Sequence, residues 1–353
     1  MAAMAGNRVV QIVGHCRFGS WHRRQSQEKG QFVNQRAAWG TNASIPARLN
    51  MVLAGAFLGI GLFQLLAVPA ILAHSSIWWA FLLIPCALST TTYWSLIHEA
   101  IHRLLAPNER LNDLCGRALA VIFGSPFELL RFPHLLHHHI NGRVADRPDY
   151  YRTDLLSRGE ARLRYYPNLL LGIYAAELAG TFLCLMPRSL LRRVMRRLPK
   201  AHDDDDRAEV YLLKRERLSQ LRFDACAAMA LYTFAFWWYG VFWPLFVLSM
   251  LARGVLLSVA DNSYHYGAPL GAGPRSSYNL KFPFGVGILN FNLHRVHHVH
   301  PNLPWSGLPG AFEIEGEAYD VGYVSAMLRQ FQGPISHNEY SSFSPSNLGS
   351  RQV

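Results

Sequence analysis

The sequence predicts an all-α integral membrane protein in which four transmembrane helices form two hairpins, with interfacial or amphipathic helices and a histidine-rich cap on the cytoplasmic side. Three observations lead to this prediction. The chain has 353 residues, 50% of them apolar, and the apolar residues lie in long uncharged blocks. A run of arginines follows one of these blocks, and most of the 16 histidines fall into short clusters. This composition excludes an ordinary soluble domain.

The first hairpin is predicted from residues 51–72 and 77–97. The first block has Gln64 as its only strongly polar side chain, and the second carries no charge. A helix crosses the ~30 Å hydrocarbon core with about 20 residues, so each block is long enough. The short linker between them permits only a tight turn, and Trp78 and Trp79 beside it are typical of a membrane face.

The second hairpin is predicted from a longer apolar run, 225–251, which continues past Arg253 to residue 260. As one helix this run would be about 54 Å long, well beyond the bilayer. A turn at 239–244 would instead place its tryptophans together at a membrane face. The first arm of this hairpin is short, so we expect Arg222 to extend toward the headgroups.

Residues 169–186 are apolar except for Glu177 and are a marginal span by hydropathy. The stretch 188–200 that follows has six basic residues and no acid, which the positive-inside rule places in the cytoplasm. We therefore predict that 169–186 is re-entrant or interfacial, and that 188–200 is a basic amphipathic helix on membrane lipids. The net charge of +11 is attributed to the membrane rather than to nucleic acid, because no recognition motif accompanies it.

The chain is divided into three parts. Residues 1–48 are a basic segment expected to be disordered, 49–332 form the membrane domain, and 333–353 are a polar tail. No secretory signal is visible, so both termini are expected in the cytoplasm, with the protein in a bacterial cytoplasmic membrane. The cysteines form no CxxC pair and are expected to be free thiols.

The histidine clusters predict a metal site. They occur in HEAIH, HLLHHH, NSYHYG and NLHRVHHVHP, and comprise His98, His102, His134, His137, His138, His139, His265, His294, His297, His298 and His300. Both HxxHH patterns place three imidazoles on one helical turn. Packing gains nothing from repeated imidazoles, and the eight histidines of the three main motifs plus His265 suffice for two metal ions. Imidazole suits iron, zinc, copper and nickel alike.

HEAIH alone matches the HExxH signature of zinc proteases, with Glu99 as the general base. That interpretation leaves unexplained the other seven of the set that comprises the eight motif histidines plus His265. A non-enzymatic metal carrier is a further alternative, although a transporter should place its ligands near the bilayer midplane rather than beyond helix ends.

HEAIH, HLLHH and HRVHH in this order closely resemble the three histidine boxes of the membrane-bound fatty acid desaturase superfamily, over roughly residues 50–315. The flanking sequences 146–149 and 301–305 strengthen the resemblance. His265 resembles a ninth family ligand, with one departure. The family has asparagine four residues before this histidine, and Asp261 stands there instead.

The resemblance implies a di-iron cap and an O2-dependent oxidoreductase that desaturates a fatty acyl chain; hydroxylation, acetylenation or ketone formation are the alternatives. It implies that two irons are held by His98, His102, His134, His137, His138, His265, His294, His297 and His298. Asp261 is a possible further ligand, direct or through water. Glu99, Asp146 and Asp149 are expected to orient the ligating imidazoles. His139 and His300 are expected to be non-ligands.

The resemblance also implies the cofactors and partners. O2 is the co-substrate, and no bound flavin or haem is expected, because the chain has no fingerprint for either. Electrons would come from an external donor such as an acidic ferredoxin-like protein, which a basic cytoplasmic face suits. The acyl chain could be linked to a lipid, to acyl carrier protein or to CoA.

Overall fold

The computed structural model describes residues 44–197 and 211–340, which are mostly helical. The long helices are α1 (Ala47–His74), α2 (Ile77–Ile101), α3 (Glu109–Phe123), α4 (Phe127–Ile140), α5 (158–183), α6 (Arg188–Arg197), α7 (Arg215–Tyr239) and α8 (Trp243–Ser263). Short helices α9 (His294–Val299), α10 (Leu308–Ile314), α11 (Tyr323–Arg329) and α12 (His337–Tyr340) follow. The predictions for 1–43, for 198–210 and for 341–353 lie outside the described residues.

Three runs of the described chain are long and apolar enough to cross a membrane: Ala47–His74, Ile77–Ile101 and Arg215–Ser263. A fourth arises if α3 and α4 are counted together as one broken span. The one strongly polar residue of 51–72 in α1 is paired, because buried Gln64 donates to Ser249 Oγ on α8 at 2.6 Å. This pairing joins the two hairpins within the apolar layer.

The third run folds back on itself, as predicted. Gly240 interrupts it at a φ of 52°, a conformation that glycine adopts without steric cost. The Tyr232 ring of α7 then lies 6.2 Å from Phe246 of α8 and its hydroxyl lies 3.5 Å from Arg253 Nη1. The Tyr239 hydroxyl donates to the Gln64 carbonyl in a π-helical turn of α1, so the tips of both hairpins lie on one side.

The first arm of this second hairpin differs from the prediction. Helix α7 begins at Arg215, ten residues before the predicted start, and is 25 residues long. Arg222 donates to the carbonyls of Cys184 and Met186, just beyond the end of α5. The guanidinium is satisfied locally by these carbonyls, so the arm does not depend on its reaching the headgroups.

The break between α3 and α4 was not predicted from sequence. The two helices are bent by 104°, and Gly124 ends α3 in a left-handed conformation before Pro126 opens the next helix. The last carbonyls of α3 have no partner within the helix, and Tyr232 bonds them instead: its hydroxyl lies 2.8 Å from the Phe123 carbonyl and 3.0 Å from that of Ile122. This bend directs α4 toward the ends of α2 and α8.

The predicted interfacial region is a single helix, α5, with a π-helical turn at Asn168–Gly172 that packs along α8. Among the described residues, 169–186 is not one of the candidate spans. Helix α6 is amphipathic, as predicted: Leu191 is buried against Leu213 and Leu218, and Arg192 and Arg193 on the other face are exposed.

The chain after α8 forms a cap of short elements. Two parallel pairs of two-residue strands stitch distant segments together, β1 (Tyr150–Tyr151) with β4 (Ile335–Ser336) and β2 (Leu280–Lys281) with β3 (Val321–Gly322). Buried side chains of α2, α3, α4, α8 and the 278–291 segment form one hydrophobic core. This core fixes the cap to the ends of the helices that carry histidines.

Candidate metal centre

The histidine-bearing segments converge at one end of the helices. His98 lies in the last turn of α2 and His102 follows it directly, while His265 comes two residues after α8. The second box lies in the last half of α4, and the third box forms α9. The hairpin tips are at the far ends of α1, α2, α7 and α8, so the histidines gather on the opposite side.

All nine histidines that the sequence singled out as ligands lie in two groups. Within each group, the ligand nitrogens are all within 4.8 Å of one another. The first histidine group is His98, His102, His134, His138 and His297. The second histidine group is His137, His265, His294 and His298. Each group can hold one metal ion, so the arrangement suits two.

Each HxxHH box is divided between the groups. In α4, the i and i+4 histidines, His134 and His138, face the first group, and His137 faces the second. In α9 the division is reversed, since His297 belongs to the first group and His294 and His298 to the second. One turn of α4 and one of α9 therefore face each other across both groups, which brings the two metal positions side by side.

The spacing of the ring nitrogens fits shared coordination. In the first group, His134 Nε2 lies 2.9 Å from that of His102 and 3.1 Å from that of His138. In the second, the neighbouring Nε2 atoms are 3.0 to 3.2 Å apart. Ligands about 2.1 Å from an ion lie about 3.0 Å apart at a right angle but about 3.4 Å apart at the tetrahedral angle. The spacings are therefore compatible with rings that bind a common metal ion.

Hydrogen bonds in the second group leave lone pairs facing each other. His137 Nδ1 donates to Asp146 at 2.8 Å, and His265 Nδ1 donates to the Ser276 carbonyl at 3.1 Å. Both Nε2 atoms are then unprotonated acceptors, yet they are 3.2 Å apart. Two facing lone pairs repel each other unless a cation lies between them. The donor set thus fits a metal ion.

Burial favours the neutral form of the His297 and His265 rings. Desolvation and then the nearby His137 ring lower the pKa of His297 to about 3. Desolvation is likewise the main cause that lowers the pKa of His265, with further contributions from His137 and Arg147. Metal binding requires deprotonated imidazole nitrogens, so the site is ready to bind at neutral pH.

The carboxylates predicted to orient ligands have different surroundings. Asp146 bonds His137, as expected for a residue that orients a ligand. Asp149 instead pairs with Arg147 and accepts from the Gly267 N–H. Because Arg147 also donates to the His265 carbonyl, Asp149 braces the turn that carries this histidine.

Among the hydrogen bonds of the described residues, none joins Glu99 or Asp261 to the ring of a ligand histidine. Buried Glu99 accepts from the Trp305 N–H at 3.3 Å and so ties α2 to the segment after the third box. Asp261 lies on the wall of a cavity beside the histidines, outside both groups. Its role as a ligand stays a prediction.

His139 is exposed and His300 pairs with Glu315, and both lie outside the two groups. Sequence reasoning missed Asn141, whose side-chain amide lies 3.1 Å from His298 Nδ1. The amide nitrogen is the atom that faces this ring, and the amide oxygen has no hydrogen-bond partner. Only an amide turned by 180° would accept the Nδ1–H and leave Nε2 for a metal. Its only signal in the sequence is its position directly after the second box.

Phe291 was also missed. Its ring lies 4.6 Å from that of His98 and 4.7 Å from that of His294, one in each group. This apolar ring shields both metal positions on the side of the cavity.

Comparison with known proteins agrees with this geometry. The model of the fatty acid desaturase family matches residues 76–327, more than two thirds of the chain and all nine histidines. No curated protein matches the sequence. The family is one of oxidoreductases, which disfavours both the protease and the metal carrier. The match, together with apolar helices and two histidine groups suited to a di-iron site, leads to one conclusion: the chain belongs to the fatty acid desaturase family.

Proposed function

We propose that this protein introduces a double bond into a fatty acyl chain in an O2-dependent reaction, with one iron ion in each histidine group. The observation that carries the proposal is the pair of groups, in which nine imidazoles present closely spaced nitrogens to two positions. Bound iron would supply the reductive activation of O2 that hydrogen removal from an unactivated methylene requires, and zinc has no redox chemistry for it.

The overall reaction balances with two external electrons. A CH2–CH2 pair, O2, two electrons and two protons give CH=CH and two waters. The described residues contribute positioning: Asp146 and the Ser276 carbonyl set the tautomers of His137 and His265, and the Asn141 amide contacts His298. Trp94 and Phe291 contact histidines and line the adjacent cavity, where they would exclude water from the reacting carbons.

The topology is part of the proposal. We place α1, α2, α7 and α8 across the membrane as two hairpins, with the histidines and both termini in the cytoplasm. The arginine-rich α6 supports this orientation by the positive-inside rule, and the exposed tryptophans at both tips fit the opposite membrane face. The membrane is taken to be the bacterial cytoplasmic membrane.

The electrons would come from an external one-electron carrier. The net charge of +11 favours an acidic partner such as a ferredoxin-like protein. No flavin or haem is proposed within this chain, and no nucleic acid is proposed as a partner.

The same first hydrogen removal can lead to a second removal or to transfer of oxygen. Desaturation is distinguished from hydroxylation, acetylenation and ketone formation by the mass of the product. The test is expression in a desaturase-free bacterial host with a ferredoxin system, followed by mass spectrometry of acyl chains. His137→Ala is compared with His139→Ala, an exposed histidine on the same helix outside both groups.

We expect acyl species lighter by two mass units with the wild type and with His139→Ala, and none with His137→Ala. A gain of sixteen would replace desaturation by hydroxylation. Reduced-donor oxidation and O2 uptake that do not depend on His137 would reject the proposed site.

A further inference from the structure

A small cavity lies beside the two histidine groups, between α2 and α8. Its opposite walls are Thr91, Trp94 and Ser95 of α2 and Leu257, Ala260 and Asp261 of α8. At its inner end Phe291 contacts one histidine of each group. The cavity spans about one turn of α2, from Thr91 to Ser95, and Thr91 lies about 10 Å along the helix from His98. The cavity therefore lies between the parts of α2 and α8 that would cross the membrane.

The cavity is bordered by an exposed apolar loop, residues 282–288, which we name the lip. The lip contains no charged residue, and Phe284 and Val286 are 72% and 68% exposed. It is held against α2, since Thr92 donates to the Gly287 carbonyl at 2.6 Å and Ser95 to the Ile288 carbonyl at 3.0 Å. The lip is thus fixed at a depth one to two helical turns below His98.

Two exposed leucine-type side chains of α2 continue the lip toward the hairpin tip. Leu88 and Ile84 are 64% and 59% exposed and precede Thr92 by one and two helical turns. In a membrane span such a face contacts lipid. The lip therefore begins where the lipid-facing side of α2 ends, and the same leaflet would cover both.

Helix α11 supplies a second apolar edge. Tyr323 lines the cavity and its ring lies 4.7 Å from Phe282 at the start of the lip. On the outer side of α11, Val324 and Leu328 are 61% and 63% exposed and one turn apart. Such an apolar face suits a position in the membrane interface.

Charge argues against a water-soluble carrier at this entrance. An acidic acyl carrier protein or the phosphates of CoA would need a cluster of cations beside the opening. The lip has none, and Lys281 is the only charged residue in 280–288. A lipid, in contrast, is already present at an apolar edge of this kind.

We propose that the lip and α11 lie within the cytoplasmic leaflet, and that the substrate is an acyl chain still attached to a bilayer lipid. This chain enters sideways between α2 and α8 and reaches the histidine groups along the cavity. The inference rests on the proposed function for its chemistry. The depth of the lip can be measured without any turnover, so the inference about the lip and the proposed function can be rejected independently.

The first experiment measures the depth of the lip. The photo-crosslinking amino acid p-benzoylphenylalanine replaces Phe284 in the full chain. The variant is reconstituted in vesicles of phosphatidylethanolamine and phosphatidylglycerol. Ile314→p-benzoylphenylalanine is the control, because Ile314 is 65% exposed but stands between Glu313 and Glu315. We expect lipid adducts at 284 and not at 314. Absence of adducts at 284 would overturn the inference whatever the activity.

The second experiment compares carriers. Iron-loaded protein in the same vesicles receives a reduced ferredoxin system and an isotope-labelled saturated chain as phospholipid, as acyl carrier protein thioester or as CoA thioester. A two-unit mass loss in the intact phospholipid is expected. Product only on a thioester would overturn the lipid substrate and leave the proposed function intact. No product on any carrier would count against the proposed function, while the crosslinking result still decides the position of the lip.

The third experiment tests the lip by substitution. Phe284→Asp with Val286→Asp should lower turnover of the lipid-linked chain about tenfold, because two carboxylates oppose insertion into the interface. The control is Ile314→Asp, and iron content is measured in each variant to confirm that the site remains assembled. Unchanged turnover with unchanged iron would contradict the role of the lip.

Discussion

At the scale of the residue, the candidate metal centre depends on which ring nitrogen carries a proton. Asp146 and the Ser276 carbonyl accept the Nδ1–H groups of His137 and His265, and this leaves both Nε2 lone pairs directed at one position. The protein thus prepares ligands before a metal arrives. The repulsion between these lone pairs is the physical reason to expect tight binding of a cation.

Removal of the carboxylate at Asp146 should weaken metal binding. In the wild type, the Asp146 carboxylate holds the His137 ring and raises the basicity of its Nε2. Asp146→Asn removes this charge, so we expect iron affinity to fall about 10- to 100-fold. Competition with a chelator measures this. Asp154→Asn is the control, because Asp154 is exposed and pairs only with Arg152 among the hydrogen bonds described. Equal affinities of the two variants would contradict the role of Asp146.

The metal-free protein should lose stability as the pH falls. The pKa of His297 is lowered from 6.5 to about 3 in the folded state. Between these values the unfolded chain binds more protons than the folded chain, so the free energy of unfolding decreases as the pH falls below about 6.5. Thermal unfolding of the metal-free protein from pH 8 to pH 4 measures it. A melting temperature that rises on acidification would disprove this expectation.

At the scale of the element, the break between α3 and α4 positions the second box. Helix α3 ends within the helical layer, where its last carbonyls have no water to bond. The Tyr232 hydroxyl bonds the carbonyls of Ile122 and Phe123, and the Arg253 guanidinium lies over the Phe123 ring at 4.9 Å. Helix α7 thereby holds the start of α4, whose last turns present three histidines.

Tyr232→Phe tests this support. The substitution removes the donor of the Ile122 carbonyl and leaves the Phe123 carbonyl with only Arg253 Nη2 at 3.5 Å, so we expect the free energy of unfolding to fall by about 1–3 kcal/mol. Thermal unfolding in nanodiscs measures the loss, and iron content shows whether α4 still presents its histidines. Tyr319→Phe, at a residue 45% exposed, serves as the matched control. If both variants unfold at the same temperature as the wild type, the hydroxyl does not support α3.

At the scale of the whole molecule, the hairpin tips and the histidine groups lie at opposite ends. Tyr239 near one tip bonds the Gln64 carbonyl in α1, and Trp238 bonds the Leu66 carbonyl beside it. These contacts keep the two hairpins in register, so that the ends of α2 and α8 carry their histidines to the same level.

The proposed orientation predicts which residues are reached from outside the cell. Ser75 lies in the tip of the first hairpin and Leu155 in a loop on the histidine side, and both are exposed. With Ser75→Cys, a membrane-impermeant maleimide should label intact cells. With Leu155→Cys, it should label only opened cells. The reverse pattern would invert the proposed topology.

Much of the fold could be predicted because its signals are local. The blocks 51–72 and 77–97 are uncharged over the length of a span, and the break at 239–244 divides a run too long for one crossing. The break at 124–126 has a local signal in Gly124 and Pro126, which the sequence analysis missed, but the residue that bonds the α3 end, Tyr232, lies more than a hundred residues away. The start of α7 was missed because its cause is remote, since Arg222 is satisfied by carbonyls beyond α5.

The sequence by itself determined the helical membrane class, the resemblance to desaturases and the nine histidines, because periodicity and residue type are properties of neighbouring positions. Only the tertiary structure decided how these histidines divide. His137 and His138 are adjacent in sequence and belong to different groups, since adjacent residues on a helix point about 100° apart. The partner that each ring meets is set by the packing of α2, α4, α8 and α9, which no single segment specifies.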